Sequence, residues 1–227
     1  MSLHDPKIVF ITGASRGIGA ACARHFAARG VRVGLLARSS EAITALAEEL
    51  GGAAATCDVA DPQSVSDAIS GLVDQLGPAD VLVNNAGVVA NHPVAEHPTE
   101  AWRQVMAVNL DGPFYASRAV LPAMIAQGAG RIVNVASISA TLGTPGLSAY
   151  CASKWGLVGF TKALSEEVKG KGVVVTALNP GSVDTDMLRA SGLDFPPQMT
   201  PEEVAASVWF LATGPAAIAG AALDMFG

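Results

Sequence analysis

Positive charge is in short supply in this chain. Fourteen Lys and Arg stand against twenty Asp and Glu over 227 residues, a formal net charge of −6. No Lys/Arg-rich run overrides that balance, so the electrostatic footprint of a nucleic-acid binder is missing. Cysteine is scarce as well. Cys22, Cys57 and Cys151 are odd in number, far apart and form no C-x-x-C, which argues against a disulfide framework and a zinc site. No apolar run approaches the ~18–20 residues that a membrane helix needs. Asp5, Pro6 and Lys7 precede a short apolar run of strand length. That is unlike a secretory signal, and the cytoplasm is the expected compartment. Histidines 92 and 97 flank Glu96 in a stretch with two prolines and no third well-placed ligand, which reads as a loop and not as a metal site.

What is present is apolar and glycine-rich. Half of the residues are hydrophobic, 15% are charged and 24 are Gly, so a packed core with many tight turns is expected. Short β-branched runs alternate with helical segments. Strands are expected at 7–12, 31–37, 53–57, 80–84, 131–136, 173–178 and 221–226. Helices are expected to about residue 29 after the first strand, then over 40–50, 62–76, 99–127, a stretch carrying Tyr150 and Lys154, and a last one from Pro201. Asp61-Pro62 is an N-cap followed by Pro at the first helical position, and Thr200-Pro201-Glu202-Glu203 is a capping box. This alternation predicts an α/β fold with one parallel, doubly wound sheet of about seven strands and helices on both faces. No linker or repeat interrupts it, so residues 1–227 read as a single domain.

Ligands of such sheets bind beyond the carboxyl ends of the strands. The glycine turn Gly13-x3-Gly17-x-Gly19 follows the first strand, where backbone N–H groups at a helix N-terminus suit a pyrophosphate. The spacing differs from G-x-G-x-x-G, and a tight βα connection is the alternative reading. At the end of the second strand, an acidic residue would accept the ribose 2′-OH of NAD. Here the chain reads Leu36-Ala37-Arg38-Ser39-Ser40. Arg38, with Arg16 from the turn, offers a guanidinium to a 2′-phosphate and points to NADP(H); otherwise both arginines are solvated surface charges.

Tyr150 and Lys154 are four residues apart, one turn above the other on a helix. An ammonium beside a phenol favours the phenolate and lowers its pKa toward working pH. Alone, that spacing equally describes an amphipathic helix with a solvated Lys. Asn109 lies four residues before Pro113, which has no N–H to return to the Asn109 carbonyl. The freed carbonyl either holds a water near Lys154 or marks a simple proline kink.

Thr12-Gly13-Ala14-Ser15-Arg16-Gly17-Ile18-Gly19, Asn84-Asn85-Ala86-Gly87, Asn109, Ser137, Tyr150-x-x-x-Lys154 and Asn179-Pro180-Gly181 resemble, in order and spacing, the short-chain dehydrogenase/reductase family. The resemblance spans essentially the whole chain and implies a Rossmann fold. It implies Gly13, Ser15, Arg16, Ile18 and Gly19 as the pyrophosphate loop, and Asp58 and Val59 as adenine contacts, with a turn-forming role the alternative for Asp58. Asn85, Ala86 and Gly87 would border the ribose and steady the central strands. Pro180, Gly181, Val183 and Thr185 would position the nicotinamide. Arg38 aligns with the basic residue of NADP-preferring members. Ser137 and Tyr150 would hydrogen-bond the substrate oxygen, Tyr150 would deliver the proton, and Lys154 would lower its pKa and hold the nicotinamide ribose. Asn109 would join a proton relay.

The expected activity is NADPH-dependent reduction of a small or medium ketone or β-ketoacyl substrate, followed by the oxidative direction as alternative. A non-catalytic nicotinamide-binding scaffold is the rival from another class. A short lid over about 182–200 would cover the substrate, with Leu188, Leu193, Phe195 and Met199 lining it and Val88–Val94 and Ile138–Leu147 supplying other walls. The family also implies a homo-oligomer, dimer or tetramer, through the helices beginning near Thr99 and Ser148 and the C-terminal strand.

Overall fold

The structure is a computed structural model, in which residues 5–226 are described. Strand β1 (Ile8–Thr12) is followed by helix α1 (Gly17–Ala27), β2 (Arg32–Ala37), α2 (Ser40–Leu50), β3 (Ala53–Thr56), α3 (Pro62–Leu76) and β4 (Val81–Asn84). The second half runs α4 (Thr99–Met106), α5 (Gly112–Gln127), β5 (Gly130–Val135), α6 (Ser148–Glu167), β6 (Val173–Pro180), the short α7 (Asp186–Ala190), α8 (Pro201–Thr213) and β7 (Ala222–Met225). The seven strands form one sheet in the order β3-β2-β1-β4-β5-β6-β7, and every pairing is parallel. This is the doubly wound Rossmann arrangement expected, with the reversal of strand order falling between β1 and β4.

The strands read as unbroken apolar runs because both faces are covered. Val9 and Ile11 pack with Cys22 and Phe26 of α1, Ile43 of α2 and Val208 of α8. Ile8 and Phe10, pointing the other way, pack with Ile69 and Leu72 of α3 and Val120 and Met124 of α5. Alternation along one strand thus divides the core into two layers. The caps form as read: Asp61 accepts from the N–H of Gln63 at 3.1 Å. Thr200 and Glu203 exchange their bonds across the first turn of α8 at 3.3 and 2.7 Å, each such cap stabilising by ~1 kcal/mol.

Two departures from expectation have a clear physical reason. The single helix expected over 99–127 is interrupted by a π-helical turn, Ala107–Asp111, in which the N–H of Gly112 reaches back to the carbonyl of Ala107. The reason is Pro113: with no N–H at that position the regular ladder cannot continue, and the backbone widens by one residue. Strand β6 also runs on past Leu178 to Pro180, because Asn179 and Pro180 stay in register with Asp224 and Met225 of β7.

Candidate active site

The carboxyl ends of β1 and β4 are tied together by Thr12 and Asn85. The Thr12 hydroxyl accepts from the N–H groups of Asn85 and Ala86 at 3.0 and 3.1 Å. The Asn85 amide donates to the carbonyls of Thr12 and Gly13 at 3.0 and 3.1 Å. Such close approach requires glycine. Gly13 has φ +65°, and a Cβ there would lie 2.7 Å from the Cα of Ala86; at Gly19 it would lie 2.3 Å from the Gly13 carbonyl oxygen. Helix α1 begins at Gly17, leaving its first N–H groups directed outward from the turn. The steadying role expected of Asn85 is present, and Thr12, given no role from sequence, shares it.

Two adjoining cavities open above these strand ends. The larger, about 460 Å³, is lined by Gly13, Ser15, Arg16, Ile18, Arg38, Asp58, Val59, Asn85, Ala86, Gly87, Tyr150, Lys154 and Thr185. The smaller, about 170 Å³, is lined by Ile18, Ser137, Tyr150, Pro180, Gly181, Val183 and Thr185 with apolar neighbours. Of the catalytic and cofactor residues that the resemblance implies, only Gly19 and Asn109 line neither, and both support the walls from behind. Tyr150 and Thr185 belong to both cavities.

Arg38 is exposed and makes no ion pair or side-chain hydrogen bond among the described residues. Arg16 does have a partner. It lies 3.6 Å from Asp186 at the start of α7, with both side chains well exposed. Hydrogen bonding and charge from Arg189, then the charge of Arg16, hold the Asp186 carboxyl below its ordinary pKa. Nothing in the sequence linked Arg16 to a residue 170 positions away. Asp58 lines the larger cavity and is also a turn former: its carboxylate accepts from the N–H of Ala60 at 3.0 Å, and its own N–H donates to Ser64 at 3.0 Å.

At the junction of the cavities stand Ser137, Tyr150 and Lys154. The Ser137 hydroxyl accepts from the N–H of Ser139 at 3.2 Å, which fixes its direction. Lys154 is only 3% exposed. Its ammonium donates to the carbonyl of Val135 at 2.9 Å and lies 5.6 Å from the centroid of the Tyr150 ring. Here the sequence expectation needs correction. The Tyr150 phenol is pushed above its ordinary pKa by burial, with the hydrogen bond from Ser137 acting in the opposite direction. Burial likewise pushes the Lys154 ammonium down to about 8. Spacing places the two side chains on one face, but desolvation disfavours both charged forms, and Lys154 is directed to a backbone carbonyl.

This has a measurable consequence. Unfolded Lys154 would titrate at its ordinary value of 10.5, so between pH 8 and 10.5 the unfolded chain binds the extra proton and stability rises with pH. Below pH 8 the buried charge carries its full cost. Lys154→Met is therefore expected to be more stable than the parent at pH 7 by about 1–3 kcal/mol. The advantage should shrink toward pH 10.5, as read by urea unfolding of the two proteins across that range.

Asn109 lies in the π-helical turn, fully buried. Its side-chain oxygen accepts from the N–H of Val88 at 2.8 Å, and its amide donates to the Val88 carbonyl at 2.9 Å and to the Ser153 hydroxyl at 3.1 Å. Ser153 in turn donates to the carbonyl of Tyr150 at 2.7 Å. The loop after β4 is thereby joined to the first turn of α6. Ser153 was passed over in the sequence, although it lies inside the Tyr150–Lys154 turn.

The lid segment is stapled at its base. Val183 and Met199 form a parallel bridge, and the Ser182 hydroxyl donates to the carbonyl of Pro196 at 2.9 Å. At the far end the Asn91 amide donates to the Ser191 carbonyl at 3.1 Å. Leu188, Leu193 and Phe195 line the smaller cavity as expected, and Val89, Ile138 and Leu147 supply facing walls. Met199 does not. Its bridge to Val183 draws it into the core layer beside α1 and α8, where it is 6% exposed. Thr185 also has local work: its hydroxyl donates to the Val183 carbonyl and accepts from the N–H of Leu188, both at 3.3 Å, capping α7.

A doubly wound sheet with a glycine cradle and a Tyr150–Lys154 pair at the cavity junction defines an oxidoreductase of CH–OH and carbonyl groups. A family model described as short chain dehydrogenase matches residues 7–194, and the chain belongs to that family. It is 40% identical to a 3-oxoacyl-[acyl-carrier-protein] reductase of Synechocystis sp. over 96% of this chain and 93% of that one. It is 41% identical to a galactitol 2-dehydrogenase (L-tagatose-forming) of Cereibacter sphaeroides, over 98% and 94%. Among solved structures, a single-residue variant of actinorhodin polyketide ketoreductase with NADPH superposes with a TM-score of 0.92 at 35% identity, covering 100% of this chain and 98% of that one. Among the described residues, no helix is long and apolar enough to cross a membrane.

Proposed function

We propose that the chain is an NADPH-dependent ketoreductase in which Tyr150 is the proton donor. The observation that carries this reading is that the Tyr150 side chain faces both cavities at once. A group there can serve a cofactor that spans the larger cavity and reaches Pro180, Gly181 and Val183, and a substrate held beside it in the smaller. The residues present fit NADPH. The cradle admits no Cβ at Gly13 or Gly19, no carboxylate stands at the end of β2, and Arg38 brings an unpaired guanidinium, among the described residues, to the rim of the larger cavity. The solved ketoreductase carries NADPH on the same fold, and the reductase names of several relatives support reduction of a ketone or β-ketoacyl group.

When bound along the larger cavity, NADPH would supply the hydride. As the carbonyl carbon of the substrate is reduced, its oxygen gains negative charge, and the Ser137 and Tyr150 hydroxyls stabilise it by hydrogen bonds. Tyr150, whose raised pKa keeps it protonated at neutral pH, transfers its proton to that oxygen. Lys154 then lies within reach to offset charge on the phenolate and to hold a ribose hydroxyl. The proton is returned through a water at the π-helical turn that carries Asn109. Arg38 would hold the 2′-phosphate, Thr185 the carboxamide, and Asp58 and Val59 would border the adenine.

Ser137→Ala separates catalysis from binding. It should lower ketone turnover about 10²-fold, the scale of losing one oxyanion donor, and leave NADPH affinity within about twofold in a fluorescence titration. A pure affinity defect would remove Ser137 from this role. We further propose that the chain forms a dimer or tetramer. Phe114 on α5 and Trp155 on α6 are 42% and 57% exposed, and Phe210 and Phe226 at the C-terminal end are 53% and 70% exposed, more aromatic surface than a solitary subunit requires.

A further inference from the structure

A cavity for a phosphate-bearing cofactor is expected to present cations and N–H groups, so a carboxylate there is out of place. Two carboxylates nevertheless line the larger cavity, Asp58 and Asp186. Asp58 is occupied by the turn after β3, where it accepts from the N–H of Ala60. Asp186 has no such indispensable local duty. It is the first residue of α7, but that helix is already capped by Thr185, whose hydroxyl accepts from the N–H of Leu188. Arg189 donates to Asp186 at 2.8 Å, but it also pairs with Asp184. What Asp186 alone provides, among the described residues, is an ion-pair partner for Arg16 of the glycine turn, at 3.6 Å.

The charges of this group balance. Arg16 and Arg189 stand against Asp184 and Asp186, linked in the order Asp184, Arg189, Asp186, Arg16. The Asp186 carboxyl is held below its ordinary pKa, first by hydrogen bonding and charge from Arg189, so it is ionised at neutral pH. Arg16 therefore meets an anion of its own chain before any cofactor arrives. The pair is too long for a hydrogen bond, and both side chains are more than half exposed. Such a pair adds little to the fold. A phosphate can displace it, because charge-assisted bonds from Arg to phosphate are shorter and stronger. The displaced carboxylate stays close by, since α7 is packed on the turn: a Cβ at Gly17 would lie 3.3 Å from the Thr185 Cγ2.

We propose that Asp186 competes with the cofactor phosphates for Arg16, so that the larger cavity holds NADPH less tightly than its cations alone would. The proposal rests on the NADPH reading above. It makes Asp186 a positioning residue that acts through Arg16. Product release limits turnover in many enzymes, and a weakened hold lets the spent nucleotide leave.

The test is NADPH binding, followed by fluorescence titration at low salt, where exposed charges act over about 30 Å. Asp186→Asn keeps an acceptor for Arg189 and removes the charge. It should lower the NADPH dissociation constant about fivefold, the upper end for one exposed ion pair. A fall smaller than about twofold, or a rise, overturns the proposal and leaves the NADPH reading intact. Asp186→Glu keeps the charge and should stay within about twofold of the parent; tighter binding than that would assign the effect to packing and overturn the competition. In an Arg16→Gln background, Asp186→Asn should shift the constant less than about twofold. A larger shift there would be a general effect of charge, and competition for Arg16 would be refuted. Parent protein that binds no NADPH overturns the NADPH reading and the proposal together.

Discussion

Tyr150→Phe is expected to bind NADPH as the parent does and to reduce ketones about 10²–10⁴-fold more slowly, the range for losing a positioned general acid. The substitution is unusually clean here. The ring stays in place between the cavities, and its face remains 5.6 Å from the Lys154 ammonium, so packing and the cation–π contact survive. What is lost is the hydroxyl of a side chain that faces both cavities. Burial holds that hydroxyl protonated, so in the parent the proton is available at neutral pH without any prior step. Parallel NADPH titration and turnover measurements decide the matter, and near-normal turnover would sink Tyr150 as the acid.

Arg38→Asp is expected to raise the NADPH dissociation constant about 10–100-fold, the worth of a charge-assisted bond to a phosphate, with NADH affected far less or bound better. Arg38 lies at the end of β2 and has no protein partner among the described residues, so removing it should leave the fold undisturbed and the change should appear in the cofactor alone. An aspartate there would repel the 2′-phosphate and accept bonds from an unphosphorylated ribose. The effect on NADPH should shrink at high salt, since the site is exposed. An unchanged preference would refute the phosphate-binding role.

What could be read from the chain follows a simple division. The glycine turn was legible because part of its requirement is local: Gly13 has φ +65°, and Gly19 closely approaches the Gly13 carbonyl. The parallel sheet was legible because strands covered on both faces leave unbroken apolar runs. Pro113 announced a fault in its helix, although the form of that fault, a π-helical turn, depends on how the surrounding backbone absorbs it. Contacts between distant segments left no trace. Arg16 reaching Asp186, Asn91 reaching Ser191 and Lys154 turning to Val135 are all fixed by where the strand ends converge. Met199 looked like lid lining because it is apolar and falls in the lid, while its bridge to Val183 assigns it to the core. The direction of the Tyr150 shift was missed for a related reason. Four-residue spacing reports that two side chains are neighbours, whereas burial, which dominates both pKa values, is a property of the whole fold.

The bridge between Val183 and Met199 has an evolutionary side. The loop they enclose begins and ends at one bridge just beyond the end of β6, so its interior can be exchanged, lengthened or shortened while both attachment points stay put. Tyr150, the proposed proton donor, is carried on α6, outside that loop. On the proposed reading selectivity is a replaceable cassette, and a library confined to residues 188–198, which leaves Thr185 in place, is expected to retarget the enzyme without retuning its chemistry.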